Sequence, residues 1–315
     1  MTERARDEEL LVIYENLTNP DKLFKINDIL GYGTYGHVFV GIHKSTQLEV
    51  AIKIVKVSQN RWESPLREIQ ILKMCSKHEG ICKILGAFGK KSNTDQLCEV
   101  WIVMELCSGG SLQNFIALFN EENKPIPEHF CRYIIKDLLE AVKYLHNQSI
   151  IHRDIKSSNI LFTGNGVVKL VDFGSSIKVN PDDKITDVVG TPFWMAPEVI
   201  LCNYNEHASY CSKADIWSLG IVFIHLLDGR LPKFKPTQEP LNETLIDSSA
   251  IQKLPKTKRS RHCISLTRRF LILNPKQRPT VRDILSHEFF DSYSQEYKFS
   301  KFRIVKILKR ENKSS

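Results

Sequence analysis

The 315-residue chain is marked first by what it lacks. Its eight cysteines (Cys75, Cys82, Cys98, Cys107, Cys131, Cys202, Cys211 and Cys263) include no CxxC pair and no Cys/His group at zinc spacing. That excludes a disulfide scaffold and a structural zinc module, and the thiols read as reduced and mostly buried in a cytosolic protein. The amino-terminal run MTERARDEELLVIYENL is charged from its third residue, so it does not read as a secretion signal. The longest uncharged apolar run, Ile216 to Leu227, has twelve residues, short of the ~18 that a spanning helix needs. It reads as a helix buried inside protein. Repeats and low-complexity blocks are absent, and 42% hydrophobic with 25% charged residues exclude a disordered or collagen-like chain.

A formal charge of +8, from 44 Lys and Arg against 36 Asp and Glu, raises nucleic acid or an anionic membrane as partners only where the cations cluster. They cluster at the end of the chain. Tyr297 to Ser315 carries Lys298, Lys301, Arg303, Lys306, Lys309, Arg310 and Lys313 against Glu311, a charge of +6, which leaves +2 for the other 296 residues. A second acid-free stretch, Lys253 to Arg269, holds Lys256, Lys258, Arg259, Arg261 and Arg268. Neither stretch forms the aromatic and basic platform of a nucleic-acid module; both read first as solvated faces, and no nucleic-acid partner is expected. In the tail, Phe299, Phe302, Val305 and Leu308 recur at three-residue intervals, a pattern open to packing on the protein, docking a partner or touching anionic lipid.

Length favours roughly two domains or one two-lobed unit. From Phe24 to about Met104, the segments LFKINDIL, HVFVGIHK, LEVAIKIVKV and CEVWIVMEL alternate or are β-branched and predict strands. One helix interrupts them near Ser64-Pro65, where serine caps and proline fits the first turn, with Leu66, Ile69 and Leu72 on one face. From Ser111 to Phe290 helical periods dominate, as in HFCRYIIKDLLEAVKYLHNQ and ADIWSLGIVFIHLL. The expected order is an extension (1–23), a small β-rich lobe (about 24–106), a larger helical lobe (about 107–290) and a basic tail (291–315).

The run Gly31-Tyr-Gly33-Thr-Tyr-Gly36-His-Val38 lies between two predicted strands. Glycines so spaced also mark ordinary hairpins. Because these lead into a strand and not a helix, a dinucleotide-binding turn is excluded, and a flap whose amides approach phosphates fits better. Lys53 follows in the apolar strand Ala51-Ile52-Lys53. A lysine there commonly snorkels from an edge, yet Glu68 on the next helix supplies the counter-charge that a semi-buried ammonium requires.

At this pair the chain resembles the protein kinases. The resemblance continues in order through His152-Arg153-Asp154-Ile-Lys156-Ser-Ser-Asn159, Asp172-Phe173-Gly174 and Ala196-Pro197-Glu198, over about residues 24–290. It implies an α+β, two-lobed kinase fold with one main helix in the β-rich lobe, ATP and Mg2+ as cofactors, and Ser/Thr hydroxyls of proteins as acceptors. A cytoplasmic location without a transmembrane segment and a place in a signalling cascade accompany it, against the alternative of a pseudokinase scaffold. Phosphoryl transfer demands charge neutralisation and alignment. The resemblance therefore implies that Lys53 and Glu68 address the phosphates beneath Gly31, Gly33 and Gly36, and that Asn159 and Asp172 are metal ligands. Asp154 accepts the hydroxyl proton and Lys156 neutralises the transferred group. Leu30, Val38, Ala51 and Leu161 sandwich the adenine, Met104 guards its pocket, and the backbone of Glu105 and Cys107 reads its edge. Asp215, Glu198 and Arg278 are implied as scaffold.

GTPFWMAPEVI (190–200), MELCSGGSL (104–112) and QRPTVRDILSHEFF (277–290) are similar to the germinal-centre branch of the sterile-twenty-like kinases, in particular to Misshapen, NCK-interacting and class III myosin kinase domains. The chain also departs from that family. Ser157 stands where the family has glycine, Ser175-Ser176-Ile177 replaces valine-serine-alanine, and Arg230 to Leu266 replaces a proline-rich stretch. Asp187 occupies the place of the family's phosphorylated threonine. Two readings of Asp187 stay open: it pairs with Arg153 as a fixed charge, weaker than a phosphate, or Thr186 is phosphorylated and Asp187 is solvated.

Overall fold

Strands at Phe24–Gly33 (β1), Gly36–His43 (β2), Glu49–Lys56 (β3), Ile84–Lys91 (β4) and Leu97–Glu105 (β5) form an antiparallel sheet in the order β1-β2-β3-β5-β4. The protein is seen in a computed structural model, which describes residues 19–33, 36–57, 63–91, 97–180, 183–232 and 259–311. Most of the extension (1–18), Thr34 and Tyr35 of the glycine-rich turn, the greater part of the departing stretch (233–258) and the last four residues lie outside the described residues. Strands β1, β2, β3 and β5 coincide with the four apolar segments that predict them. The fifth, β4, escapes that pattern because ILGAFGKK carries two glycines and slips register between Ile84 and Gly86. On one face Phe24, Val50, Ile52, Trp101 and Val103 close a core. The helix Glu63–Cys75 (α1) begins one residue before the expected Ser64-Pro65 pair and buries Leu66, Ile69 and Leu72 as its 3.6-residue period demands.

The chain divides into two units. One takes Met1–Lys77, Ile81–Cys107 and Asp172–Gly174, and the other takes His78–Gly80, Ser108–Val171 and Ser175–Ser315. The second unit contains helices Leu112–Glu121 (α2), Glu128–Asn147 (α3), Pro197–Leu201 (α4), Lys213–Asp228 (α5), Arg261–Phe270 (α6), Val281–Leu285 (α7) and Tyr293–Glu311 (α8). Two short antiparallel strand pairs accompany them: Ile150–Ile151 (β6) with Ile177–Lys178 (β9), and Ile160–Phe162 (β7) with Val168–Leu170 (β8).

Helix α5 contains the twelve-residue apolar run. It is buried at every position from Ala214 to Leu227 except His225, which is half-buried. A helix that is apolar all round belongs inside a protein. It ends at Gly229, whose φ of 70° is the left-handed cap that favours glycine. A Cβ there would also meet Asn120 Oδ1 at 2.0 Å. Among the described residues no helix is long and apolar enough to cross a membrane.

The tail differs from its three-residue pattern. Helix α8 packs on α3 through Ser300, Ile304 and Leu308, which are buried, while Phe299 and Phe302 are exposed. Steps of four residues follow the helical repeat, whereas repeated steps of three drift around the helix. Tyr293 donates to Asp137, Ser300 Oγ donates to the His129 carbonyl at 3.3 Å, and Arg132 pairs with Glu296. Burial pushes the Asp137 carboxyl up to about 6.

Candidate active site

In the first unit the sheet register sets Lys53 between Val38 on β2 and Ile102 on β5. Its side chain is 3% exposed, and an ammonium so enclosed needs partners. Nζ donates to Glu68 Oε1 at 2.7 Å, to Glu68 Oε2 at 2.8 Å and to Asp172 Oδ1 at 2.8 Å. Burial works against the charged lysine, but the two carboxylates outweigh it and hold its pKa above the ordinary value. Burial pushes the Glu68 carboxyl upward while Lys53 opposes it; with both oxygens on the ammonium, the ionised pair is the state the geometry favours. Asp172 has a φ of 61°, a left-handed backbone costly for a non-glycine residue and common where structure holds a functional group in place.

The glycine-rich run occupies the facing ends of β1 and β2, with Gly31 opposite Val38 and Gly33 opposite Gly36. Close approach requires glycine at position 36: a Cβ there would lie 2.2 Å from the Ile54 carbonyl oxygen. Ala51 pairs in register with Met104, and both are buried. Leu30 is exposed, Glu105 accepts from the Lys83 amide through Oε1 at 2.7 Å, and Cys107 is half-buried.

In the second unit Asp154, Lys156 and Asn159 come together. Asp154 is buried, and its Oδ2 accepts from Lys156 Nζ at 2.8 Å and from Asn159 Nδ2 at 3.0 Å. Its Oδ1 accepts from the Thr191 hydroxyl at 2.6 Å, and Thr191 Oγ1 in turn accepts from Lys156 at 2.8 Å. The carboxylate is thereby fixed by three donors. Thr191 is a site residue that motif reading passes over, since its role exists only once residues 154 and 191 meet. Leu161, on β7, is half-buried in this unit and pairs with Lys169.

The loop carrying Asp154 is braced from behind. Asp215 Oδ1 accepts from the Arg153 amide at 2.9 Å, and Oδ2 accepts from the His152 amide at 3.0 Å and meets His146 Nε2 at 2.8 Å. Burial would raise this carboxyl, but the histidines and amides outweigh it and lower its pKa. Ser157 Oγ and His225 Nδ1 are 2.8 Å apart and share a hydrogen bond, and burial lowers the His225 pKa to about 4. This link ties the loop to α5 at the position where the family has glycine. Glu198 and Arg278 meet through two hydrogen bonds of 2.6 and 3.0 Å, with the guanidinium over the Trp217 ring.

Arg153 joins the loop to the segment that carries Thr191. Nε donates to the Ser175 carbonyl at 2.6 Å, and Nη1 donates to Asp187 Oδ2 at 2.6 Å and to the Tyr210 hydroxyl at 3.2 Å. Tyr210 donates to the Asp187 carbonyl at 2.9 Å. Arg153 has a φ of 69°, so this loop also stores left-handed strain. Thr186 is exposed beside it.

A profile of the Protein kinase domain family matches residues 24–290. Misshapen-like kinase 1 of Rattus norvegicus is 41% identical over 220 residues, 69% of this chain and 16% of that protein. Serine/threonine-protein kinase mig-15 of Caenorhabditis elegans is 34% identical over 286 residues, 89% of this chain and 26% of that protein. Myosin-IIIa of Homo sapiens is 35% identical over 290 residues, 88% of this chain and 17% of that protein. The chain thus spans between 16% and 26% of the length of these relatives. With a five-stranded sheet in one unit and a helical second unit, the chain belongs to the protein kinase domain family, within its sterile-twenty-like, germinal-centre branch.

Proposed function

We propose that the chain is an ATP-dependent protein serine/threonine kinase, with residues 24–290 as its catalytic domain. The observation that carries this reading is the Asp154 carboxylate, held by Lys156, Asn159 and Thr191. A carboxylate so fixed can accept the proton of an acceptor hydroxyl and keep its oxygen in line. Lys156 offsets charge on the transferred phosphoryl group, and Lys53, oriented by Glu68, addresses the ATP phosphates under the glycine-rich turn. Leu30, Val38, Ala51 and Leu161 line the adenine, and the backbone of Glu105 and Cys107 reads its edge.

Asn159 and Asp172 would hold Mg2+. Both amide hydrogens of Asn159 are engaged, one by the Asp154 carbonyl and one by its carboxylate, which leaves a carboxamide oxygen as the donor, and a carboxylate and an amide oxygen suit that hard cation. When bound, it neutralises triphosphate charge. The substrates are proteins, and a cytosolic setting accompanies this reading. Asp187 serves as the standing counter-charge of Arg153, in place of a phosphate on the same segment. Transfer of labelled γ-phosphate to a generic basic protein tests the reading. Activity in the unaltered chain and its loss in Asp154→Asn support it; equal incorporation by both overturns it.

A further inference from the structure

We propose that the outer face of α8 is a docking surface for an anionic lipid bilayer. The helix lies beyond residue 290, where the family match ends. Its inner face is committed to α3 through Ser300, Ile304 and Leu308. Opposite it stand Lys298, Phe299, Phe302, Arg303, Lys306 and Lys309, all exposed. Phe299 and Phe302 are 55% and 57% exposed, a cost in water that soluble surfaces normally avoid for two rings on one face. Lys306 Nζ stands 4.6 Å from the Phe302 ring centre, and the Phe299 ring leans on His129 at 5.5 Å. Glu296, on the first turn of the helix, has its carboxylate paired with Arg132 on α3. The outer face therefore presents four cations and two aromatic rings.

Charge complementarity selects the occupant. Cations flanking aromatic rings on one side of a surface helix match an interface in which rings enter the headgroup boundary and lysines meet anionic lipid. A convex single-helix face suits a broad planar contact better than the enclosure of a peptide. The full chain mixed with phosphatidylcholine vesicles containing phosphatidylserine should co-sediment, and should remain in solution with phosphatidylcholine alone. Each cation neutralised should weaken binding about fivefold, and added salt should weaken it further. Phe299→Ser with Phe302→Ser should abolish binding while kinase activity on a protein in solution is unchanged, which shows that the fold is intact. Because a double serine variant could loosen α8, Lys298→Glu with Arg303→Glu provides a second, purely electrostatic arm. Equal binding to neutral vesicles, no binding to anionic ones, or full binding by both double variants overturns the proposal. A concentration-dependent dimer lost in the same variants, without vesicle binding, also overturns it and assigns the face to a second copy.

Discussion

Two cation–carboxylate links differ in one respect. Lys53 and Glu68 are enclosed on both sides, with side chains 3% and 2% exposed; Arg153 is 4% exposed, but its partner Asp187 is 54% exposed. Removing either half of an enclosed pair strands a charge with no water to receive it. In the open pair only the arginine is stranded, and the carboxylate side leaves room for a larger or more highly charged group. The first is a fixed part of the machinery. The second is a place where charge can be set by sequence or by modification.

The largest effect falls on Lys53. Lys53→Met should lower phosphate transfer by about 10²–10³ and, by leaving the Glu68 carboxylate without its counter-charge, should also lower stability; steady-state assays and a denaturation midpoint check both. Next comes the other enclosed pair. Glu198→Ala leaves Arg278 unpaired and should cost about 3–5 kcal/mol of stability, read as a lowered denaturation midpoint. The open pair should respond less: Asp187→Ala should lose about 1–2 kcal/mol of stability and about tenfold in rate, equivalent to ~1.4 kcal/mol, with Asp187→Glu restoring part of both.

A further test is a pH dependence at His225. His225 sits at about 4 in the folded chain against 6.5 for a free histidine, so between these values the unfolded chain binds the extra proton. Stability from this group is intact above 6.5 and falls as pH drops towards 4, by at most about 1.4 kcal/mol per pH unit. Denaturant titrations across that window should show the unaltered chain losing more stability than His225→Gln; equal losses would contradict the assignment.

Much of this is legible in the sequence because phosphoryl-transfer chemistry keeps its residues in short local runs. Lys53, Glu68, Asp154, Lys156, Asn159 and Asp172 can be named from spacing and resemblance. What stays hidden depends on tertiary encounters. Thr191 bonds Asp154 across 37 positions of chain and Ser157 meets His225 across 68, and neither pair has a local pattern. Strand β4 is obscured by its glycines, and the three-residue stripe of the tail splits, with Leu308 buried and Phe299 and Phe302 exposed. Asp187 is the exception: its charge and its position point to Arg153, and the two side chains meet at 2.6 Å.

The most direct measurement is the activity of the chain after phosphatase treatment, with Thr186→Ala as its companion. A standing Asp187–Arg153 link predicts that both proteins still transfer phosphate to a generic basic substrate, and that Asp187→Ala is impaired under the same conditions. Silence of the treated chain until Thr186 is phosphorylated would contradict it.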